Sequence, residues 1–344
     1  LKMPSNKKLL QAAAGSAGGD PLYVEDVFST YLYDGTGAVK TITNGIDLDG
    51  EGGVVWIKQR SGTEKHVLAY DENKYLSSNT TDAVTTNVNY VQSFNSDGFQ
   101  VGAASPVTAS GSTFASWTFR KAEKFFDVLT YTGNATSGRT IAHSLGSTPG
   151  MMIVKQTGGD YNWQIYHSGF GPTKFLEFNA GATQTSTAIW NDTAPTDSVF
   201  TVGNEYGVNR SGYTYVAYLF ASDAGGFGDD GDENIIKCGT FNTGAGSVNL
   251  GFEPQWLLLK KSSGSHPWYL VDNMRALNAT PSPTDTLFAN LANEESDGNG
   301  TVFITATGFD IDTTSSGNYG SSGDTVIYMA IRRPMKTPEA GTEV

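Results

Sequence analysis

The stretch Val54-Val55-Trp56-Ile57-Lys58-Gln59-Arg60-Ser61-Gly62 has the pattern of an apolar strand that ends in a lysine and enters a glycine turn. The same pattern returns as Met152-Ile153-Val154-Lys155-Gln156-Thr157-Gly158 and as Trp256-Leu257-Leu258-Leu259-Lys260-Lys261-Ser262-Ser263-Gly264. Such self-similarity within one chain indicates a repeat architecture, in which each copy is one structural unit. The stretch therefore predicts a fold that is built from repeated units.

A second repeated strand follows a Ser-Gly pair in each copy. The three strands align without a gap, and their matched residues are Trp117, Tyr218 and Met329. These residues follow the lysine of their own copy by 59, 63 and 69 positions. Because the order and the spacing are both kept, we interpret the chain as three copies of one unit.

The three units cover residues 28–122, 126–222 and 235–334. Each contains several short strands separated by turn residues, a pattern typical of antiparallel β-sandwiches. We predict an all-β protein of three tandem antiparallel sandwich modules of jelly-roll-like form, with an immunoglobulin-like topology as the alternative. Tandem sandwiches also favour an extended overall shape.

The strand around Trp117 makes this prediction specific. Alternate residues of a strand point to opposite faces, so Ala115, Trp117 and Phe119 should face the core together. The opposite face carries Phe114 and Thr118, and we expect it to be half-buried at best. This pattern predicts a central strand rather than an edge strand.

The two connections between modules differ in composition. Little more than Glu123-Lys124 joins the first two modules, which predicts a stiff contact between them. Residues 223–233, which separate the second module from the third, are rich in glycine and acidic residues. We expect that second connection to be exposed and flexible.

Residues 1–27 precede the modules and read as a docking peptide. A short helix would present Lys7, Lys8, Leu9 and Leu10, followed by a Gly-Ser tether. A helix of this length is not stable alone in water, so a partner would have to stabilise it. The alternative interpretation is a frayed terminus.

The composition excludes several classes of function. The chain has 22 basic and 35 acidic residues, so its formal net charge is −13. This charge argues against nucleic acids and anionic membranes as partners, because both need a basic surface. One cysteine, Cys238, allows no intrachain disulfide. No apolar run is long enough to cross a bilayer, so we predict no membrane insertion.

No pattern in the sequence predicts catalysis or a cofactor. The nucleophile elbow, the zinc-protease motif, the phosphate loop and the dinucleotide fingerprint are all absent. The carboxylates Asp71 with Glu72, and Asp310 with Asp312, could serve a glycosidase only if the fold brought them together. We predict that the protein is not an enzyme and has neither a cofactor nor a metal ligand set.

Two acidic loops leave calcium binding open. Asp47 and Asp49 alternate before a glycine turn, and Asp229 and Asp232 flank another. Alternating carboxylates can present oxygen ligands to Ca²⁺, but neither loop has the full twelve-residue calcium pattern. A plain solvated loop is the other interpretation.

Aromatic residues are the remaining candidates for a binding site. They lie just after the lysine turns, as Tyr161 and Trp163 in the second module and Trp268 and Tyr269 in the third. Exposed Trp and Tyr rings stack on sugars and anchor protein interfaces, so these residues could hold a host-surface glycan. Because Trp163 and Trp268 occupy similar repeat positions, a role in the core is the alternative.

Taken together, these motifs resemble virion structural and tail-fibre proteins of marine tailed phages that infect cyanobacteria and other ocean bacteria. The resemblance rests on Tyr131-Thr132-Gly133-Asn134, Ile141-Ala142-His143-Ser144-Leu145-Gly146 and Ile153-Val154-Lys155. It extends to residues 190–200 and to the opening at 6–15. The second module is the closest match, and the third has Val248-Asn249-Leu250-Gly251 in place of the histidine arm.

The resemblance implies a non-enzymatic structural protein of the virion, made in the host cytoplasm and displayed on the particle surface. It implies a tail fibre or another exposed appendage that assembles as a homo-oligomer, a trimer if it is a fibre. The N-terminus would then dock to other virion proteins and the appendage would serve host attachment. The alternatives are a glycan-binding adhesin or receptor-binding module, and a capsid decoration protein.

Overall fold

The computed structural model describes residues 20–178, 183–244, 246–280, 283–297, 301–312 and 323–336. These residues form antiparallel sheets joined by turns, and the helices in them are single turns of four residues. The predicted all-β class is therefore confirmed. Nothing helical in the described ranges is long and apolar enough to cross a membrane.

The first module contains a six-stranded and a three-stranded sheet, with strand orders β1-β9-β3-β4-β5-β6 and β2-β8-β7. Its elements are α1 (Val24–Val27), β1 (Phe28–Asp34), β2 (Lys40–Thr43), β3 (Gly53–Gln59), β4 (Val67–Asp71), β5 (Lys74–Leu76), β6 (Thr85–Thr86), β7 (Val91–Asn95), β8 (Gly98–Val101), α2 (Ser105–Thr108) and β9 (Thr113–Arg120).

The second module has a six-stranded sheet of order β10-β17-β12-β13-β14-β15 and the pair β11-β16. Its elements are β10 (Phe126–Thr132), β11 (Arg139–Ala142), β12 (Met151–Gln156), β13 (Gln164–His167), β14 (Lys174–Glu177), β15 (Gln184–Thr185), α3 (Thr187–Trp190), β16 (Val199–Val202), α4 (Tyr206–Asn209) and β17 (Thr214–Phe220).

The third module has a five-stranded sheet of order β18-β25-β20-β21-β22 and a three-stranded sheet of order β19-β24-β23. Its elements are β18 (Ile236–Asn242), β19 (Val248–Asn249), β20 (Pro254–Lys261), β21 (Tyr269–Asp272), β22 (Leu287–Phe288), β23 (Thr301–Thr305), β24 (Gly308–Asp312) and β25 (Thr325–Arg332).

One strand order thus occurs three times, and the repeated sequence stretches occupy equivalent places in it. The lysine strands β3, β12 and β20 each pair with the strand that holds Trp117, Tyr218 or Met329. Trp56 lies opposite Trp117, Ile153 opposite Tyr218 and Leu258 opposite Met329. The sequence alignment of the copies and the register of the sheets therefore agree.

The strand β9 is central, between β1 and β3, but both of its faces are buried. Ala115, Trp117 and Phe119 face the core, as predicted. Phe114 and Thr118, on the opposite face, are also fully buried, so the expected half-buried face is wrong. The reason is the second sheet of the module, which covers that face and which a strand pattern alone does not reveal.

The three modules share a central core. One cluster of buried side chains draws on all three and includes Trp117, Tyr218 and Met329. The first and third modules each have an additional core between their two sheets, around Phe99 and Phe309 respectively. An extended row of sandwiches would not create a cluster common to all three, so the expected extended shape is wrong.

The segments outside the predicted modules also pack onto this core. Val24 and Val27 of α1, which we had assigned to the docking peptide, are fully buried in it. In the connection 223–233, Phe227 is buried with its ring centre 6.4 Å from that of Phe125. The Gly228 N–H donates to the Leu22 carbonyl, 2.8 Å away. This connection is therefore anchored to the body, rather than wholly exposed as its composition suggested.

Candidate functional site

Three aromatic side chains, one at the same repeat position in each module, connect that module to another. His66, Trp163 and Trp268 each immediately precede the strand that pairs with the lysine strand of their module. Trp163 Nε1 donates to the Thr80 carbonyl of the first module at 3.0 Å, and Trp268 Nε1 donates to the Glu177 carbonyl of the second at 3.2 Å. His66 Nε2 lies 2.8 Å from the Phe288 carbonyl of the third.

A backbone hydrogen bond repeats with each of these side-chain contacts. The acceptor is the carbonyl two residues after the lysine of each module, and the donor comes from another module. The three bonds are Val84 N–H to Thr157 at 3.0 Å, Thr183 N–H to Ser262 at 2.9 Å and Glu295 N–H to Arg60 at 2.8 Å. The first module thus contacts the second, the second the third and the third the first, which closes a ring.

We call each of these contacts between two modules, a ring side chain with its backbone hydrogen bond, a joint. The joints determine the role of the predicted aromatic residues. Trp163 is 0% exposed and Trp268 is 1% exposed, and each uses its indole N–H in a joint. Tyr269 is buried against Phe288, with ring centres 5.4 Å apart. A sugar cannot stack on rings without an accessible face, so these three residues have the core role that their repeated positions suggested and do not form a glycan platform. Only Tyr161 of the predicted set is partly exposed.

The repeated lysines hold the turns that carry the joints. Lys58, Lys155 and Lys260 are fully buried, and each ammonium group donates to carbonyl groups of its own turn. Lys58 Nζ, for example, lies 2.6 Å from the Gln59 carbonyl and 2.9 Å from that of Gly62. Burial lowers the pKa of all three ammonium groups to about 8. The lysines therefore have a structural role, because each one binds carbonyl groups of its own turn and so stabilises it.

The joint between the first and third modules contains a buried charged cluster, which we call the closing network. Trp117 Nε1 of the first module donates to Asp272 of the third at 2.9 Å, and Asp272 also accepts from Arg275 at 2.7 Å. Arg60 of the first module pairs with Glu295 of the third. The positions equivalent to Asp272 in the other sheets hold Tyr70 and His167, so this network belongs to the closing joint alone.

His66 makes this closing joint sensitive to acid. Its Nδ1 accepts a hydrogen bond from Trp56 Nε1 at 2.8 Å, and its Nε2–H is directed at the Phe288 carbonyl, so the ring is neutral. Burial, followed by the positive charge of Lys58, lowers the pKa of His66 to about 3. Protonation of Nδ1 would place its N–H opposite the Trp56 N–H, and two donors cannot form a hydrogen bond with each other.

We expect the free energy of unfolding to fall as the pH drops from 6.5 toward 3. The unfolded chain takes up a proton with the ordinary pKa of 6.5 and the folded chain does not, which costs about 1.4 kcal/mol per pH unit. Urea unfolding of the protein and of His66→Gln at several pH values checks this. The variant should have a shallower slope in this range, and identical slopes would contradict the assignment.

The other predicted sites have different outcomes. Lys7, Lys8, Leu9 and Leu10 lie outside the described residues. In the acidic loops, Asp47 accepts a hydrogen bond from the Gly50 N–H at 3.0 Å, and Asp229 accepts one from the Tyr23 hydroxyl. Within the ranges that the structure describes, no three His, Cys, Asp or Glu side chains are placed to hold a metal ion.

A surface of the second module carries an unusual aromatic and charged group. We call it the arginine surface, and it consists of Tyr161, Glu205, Tyr206, Arg210 and Tyr213. Arg210 Cζ lies 4.8 Å from the ring centre of Tyr206 and 4.2 Å from that of Tyr213. Tyr206 is 54% exposed, which makes it one of the most exposed large apolar residues of the described chain.

The remaining two residues fix the position of this surface. The Tyr161 hydroxyl donates to Glu205, which precedes α4, and burial together with this bond raises the pKa of Tyr161. On the other side, a methyl group added at Gly159 would lie 3.2 Å from the Tyr213 ring, so the ring lies against the lysine turn. The group is thus held by α4 and by the turns before β13 and β17.

The repeat shows that the fold does not need this group. The first module has the same single helical turn, α2, and the same Ser-Gly turn after it, with Ser105, Ala109 and Ser112 at the positions of Tyr206, Arg210 and Tyr213. The first two modules do share a buried Tyr, since Tyr33 and Tyr131 both donate to a carbonyl in this helical turn. Comparing exposed positions between copies could have revealed the arginine surface from sequence.

Comparisons with known proteins agree with the extent of the ring. A family model described as Domain of unknown function (DUF7483) matches residues 24–334, and the match begins at α1 and includes all three modules. No curated protein matches the chain. Since the family model covers most of the chain, the protein belongs to the DUF7483 family.

Proposed function

We propose that the protein is a non-enzymatic structural component of a phage particle, displayed on an exposed appendage such as a tail fibre. The observation that carries this proposal is the use of the repeated polar groups. The conspicuous His, Trp and Lys side chains of the repeat are buried in joints and turns, where they fasten three sheets into one body. The resemblance of the module motifs to marine phage virion proteins supports the same function.

The homo-oligomer that we propose uses other surfaces than the joints. Each module already contacts both other modules within the chain, through the bonds of Thr157, Ser262 and Arg60. Copies would therefore associate through the outer faces of the ring, with residues 1–19 docking to a neighbouring virion protein. The mass in solution tests this, because a monomer of 36.6 kDa at micromolar concentration contradicts the oligomer.

Incorporation into particles tests the virion function itself. Purified particles of the source phage should contain the protein by mass spectrometry, and a labelled antibody should locate it on an appendage. A variant without residues 1–19 should fold but be absent from particles, whereas one without residues 337–344 serves as the matched truncation. Absence of the intact protein from particles contradicts the virion function, and incorporation of the first variant contradicts the docking role alone.

Glycan binding at the arginine surface is a second candidate function. The observation that favours it is the exposed ring of Tyr206 beside an arginine and a carboxylate, a group that the second module has and the first lacks. Flat aromatic faces stack on pyranose rings, and polar groups at the rim bind the hydroxyls. This surface is distinct from the glycan platform that was one of the two interpretations of Trp163 and Trp268.

A glycan array tests this second candidate. The variants Tyr206→Ser and Tyr213→Ser introduce the residues that the first module carries at the same positions, so both should fold normally. We expect them to lose the signal on any glycan that the intact protein binds. The control is Val88→Ser, which removes an exposed apolar residue elsewhere and should bind as before. Equal signals from all four proteins would contradict glycan binding at this surface.

A further inference from the structure

We propose that the arginine surface binds a sugar that carries a carboxylate, with the pyranose ring against Tyr206 and the carboxylate paired with Arg210. This inference rests on the second candidate function, glycan binding at this surface. It adds the chemical class of the ligand, which three features support: the position of the guanidinium group, its lack of a partner among the described residues, and the difference between the first and second modules.

The guanidinium group of Arg210 is positioned by aromatic rings. It lies over both Tyr206 and Tyr213, and a guanidinium group that stacks on rings keeps its N–H edge directed sideways. Tyr213 is held in turn against the turn at Gly159. Arg210 is thus a planar donor fork in a fixed place, the geometry that carboxylates accept in two parallel hydrogen bonds.

This donor fork has no partner within the described chain. Five of the seven arginines form ion pairs with carboxylates: Arg60, Arg120, Arg275, Arg332 and Arg333. A sixth, Arg139, donates to the Thr132 carbonyl. The Arg210 side chain forms neither an ion pair nor a hydrogen bond with any described residue, and the nearby Glu205 accepts from Tyr161 instead. An arginine left unpaired in a protein of net charge −13 favours an anionic ligand.

The kind of anion follows from the surroundings of Arg210. A nucleic acid carries a phosphate at every nucleotide, and the strongly acidic protein would repel it. A single carboxylate on a sugar needs only one guanidinium group and presents a pyranose face to the neighbouring ring. The exposed ring of Tyr206 and the single unpaired arginine match these two requirements. The first module, with Ser105 and Ala109 at these positions, has neither.

The experiment compares carboxylated sugars with their uncharged counterparts. The probes are hexameric oligogalacturonate, hexameric oligoalginate and sialyllactose, with fully methyl-esterified oligogalacturonate and lactose as matched neutral probes. Binding is measured by calorimetry with the intact protein and with Arg210→Ala, Arg210→Lys and Tyr206→Ser. Alanine and serine stand at these positions in the first module, and the unchanged thermal midpoint of each variant verifies its folding.

We expect at least one carboxylated probe to bind about tenfold or more tightly than its neutral counterpart, the effect of one charge-assisted pair. Arg210→Ala should abolish this preference, Arg210→Lys should retain only part of it, and Tyr206→Ser should weaken both probes of a pair. Equal affinity for charged and neutral probes, with Tyr206 still required, overturns the carboxylate inference and leaves glycan binding intact. If no sugar of this set or of the glycan array binds, the inference and the second candidate function both fail.

Discussion

Replacing Arg275 with methionine is expected to lower the free energy of unfolding by about 3–5 kcal/mol, as measured by urea denaturation. Arg275 and Asp272 are both 0% exposed at the side chain, and their closest N–O distance is 2.7 Å. The arginine also donates to the Leu270 carbonyl at 3.2 Å. Removing it leaves the Asp272 carboxylate buried in the closing network, where the Trp117 N–H is the one side-chain donor that remains to it among the described residues.

The double variant Arg275→Met with Asp272→Leu is the control for this prediction. A buried ion pair gains little over well-packed apolar residues, because the desolvation of both charges offsets their attraction. We therefore expect the double variant to be more stable than Arg275→Met by about 2 kcal/mol or more. If the double variant is less stable than the single one, then the charge left on Asp272 is not the source of the loss.

Replacing Trp268 with alanine is expected to lower the free energy of unfolding by a similar amount, about 3–5 kcal/mol. The indole ring is buried, packs edge-on against Phe178 with ring centres 5.2 Å apart, and donates to the Glu177 carbonyl. Its loss opens a cavity in the core common to all modules and breaks the joint between the second and third. Thermal or urea unfolding followed by circular dichroism measures the change.

Tyr206→Ser is the matched comparison for Trp268→Ala. It also removes an aromatic ring, but from an exposed position that is serine in the first module. Surface substitutions of this kind change stability by about 0.5 kcal/mol or less. Equal losses in the two variants would contradict the assignment of Trp268 to the joint and of Tyr206 to a surface that the fold does not need.

The repeated strands could be predicted from the sequence because their signals are local. The lysine strands and the strands around Trp117, Tyr218 and Met329 alternate or run apolar over consecutive residues, and the structure pairs them as the copies align. The arrangement of the modules could not be predicted in this way. It depends on contacts such as Thr183 with Ser262, which join residues that no local pattern relates.

The candidate site was predicted only in part for a related reason. The sequence identified aromatic residues near the lysine turns as candidates. It does not show which of them are exposed: Trp163 is buried, whereas Tyr161, two residues away, is partly exposed. The decisive information is the side of the strand that meets another module. Tyr206 and Arg210 gave no signal by themselves, and they become conspicuous only when the first module is laid beside the second.

The ring also has consequences for the order of its parts. Its first and last elements lie side by side, since Glu25 in α1 accepts hydrogen bonds from the Met335 and Lys336 N–H groups at 2.8 and 2.6 Å. The body could therefore be circularly permuted: a short peptide linking these ends, with new termini opened in the exposed part of the connection at residues 229–232, would leave all three joints in place. The contacts between modules therefore do not depend on which module is N-terminal. A ring of three separate, identical subunits would have the same property.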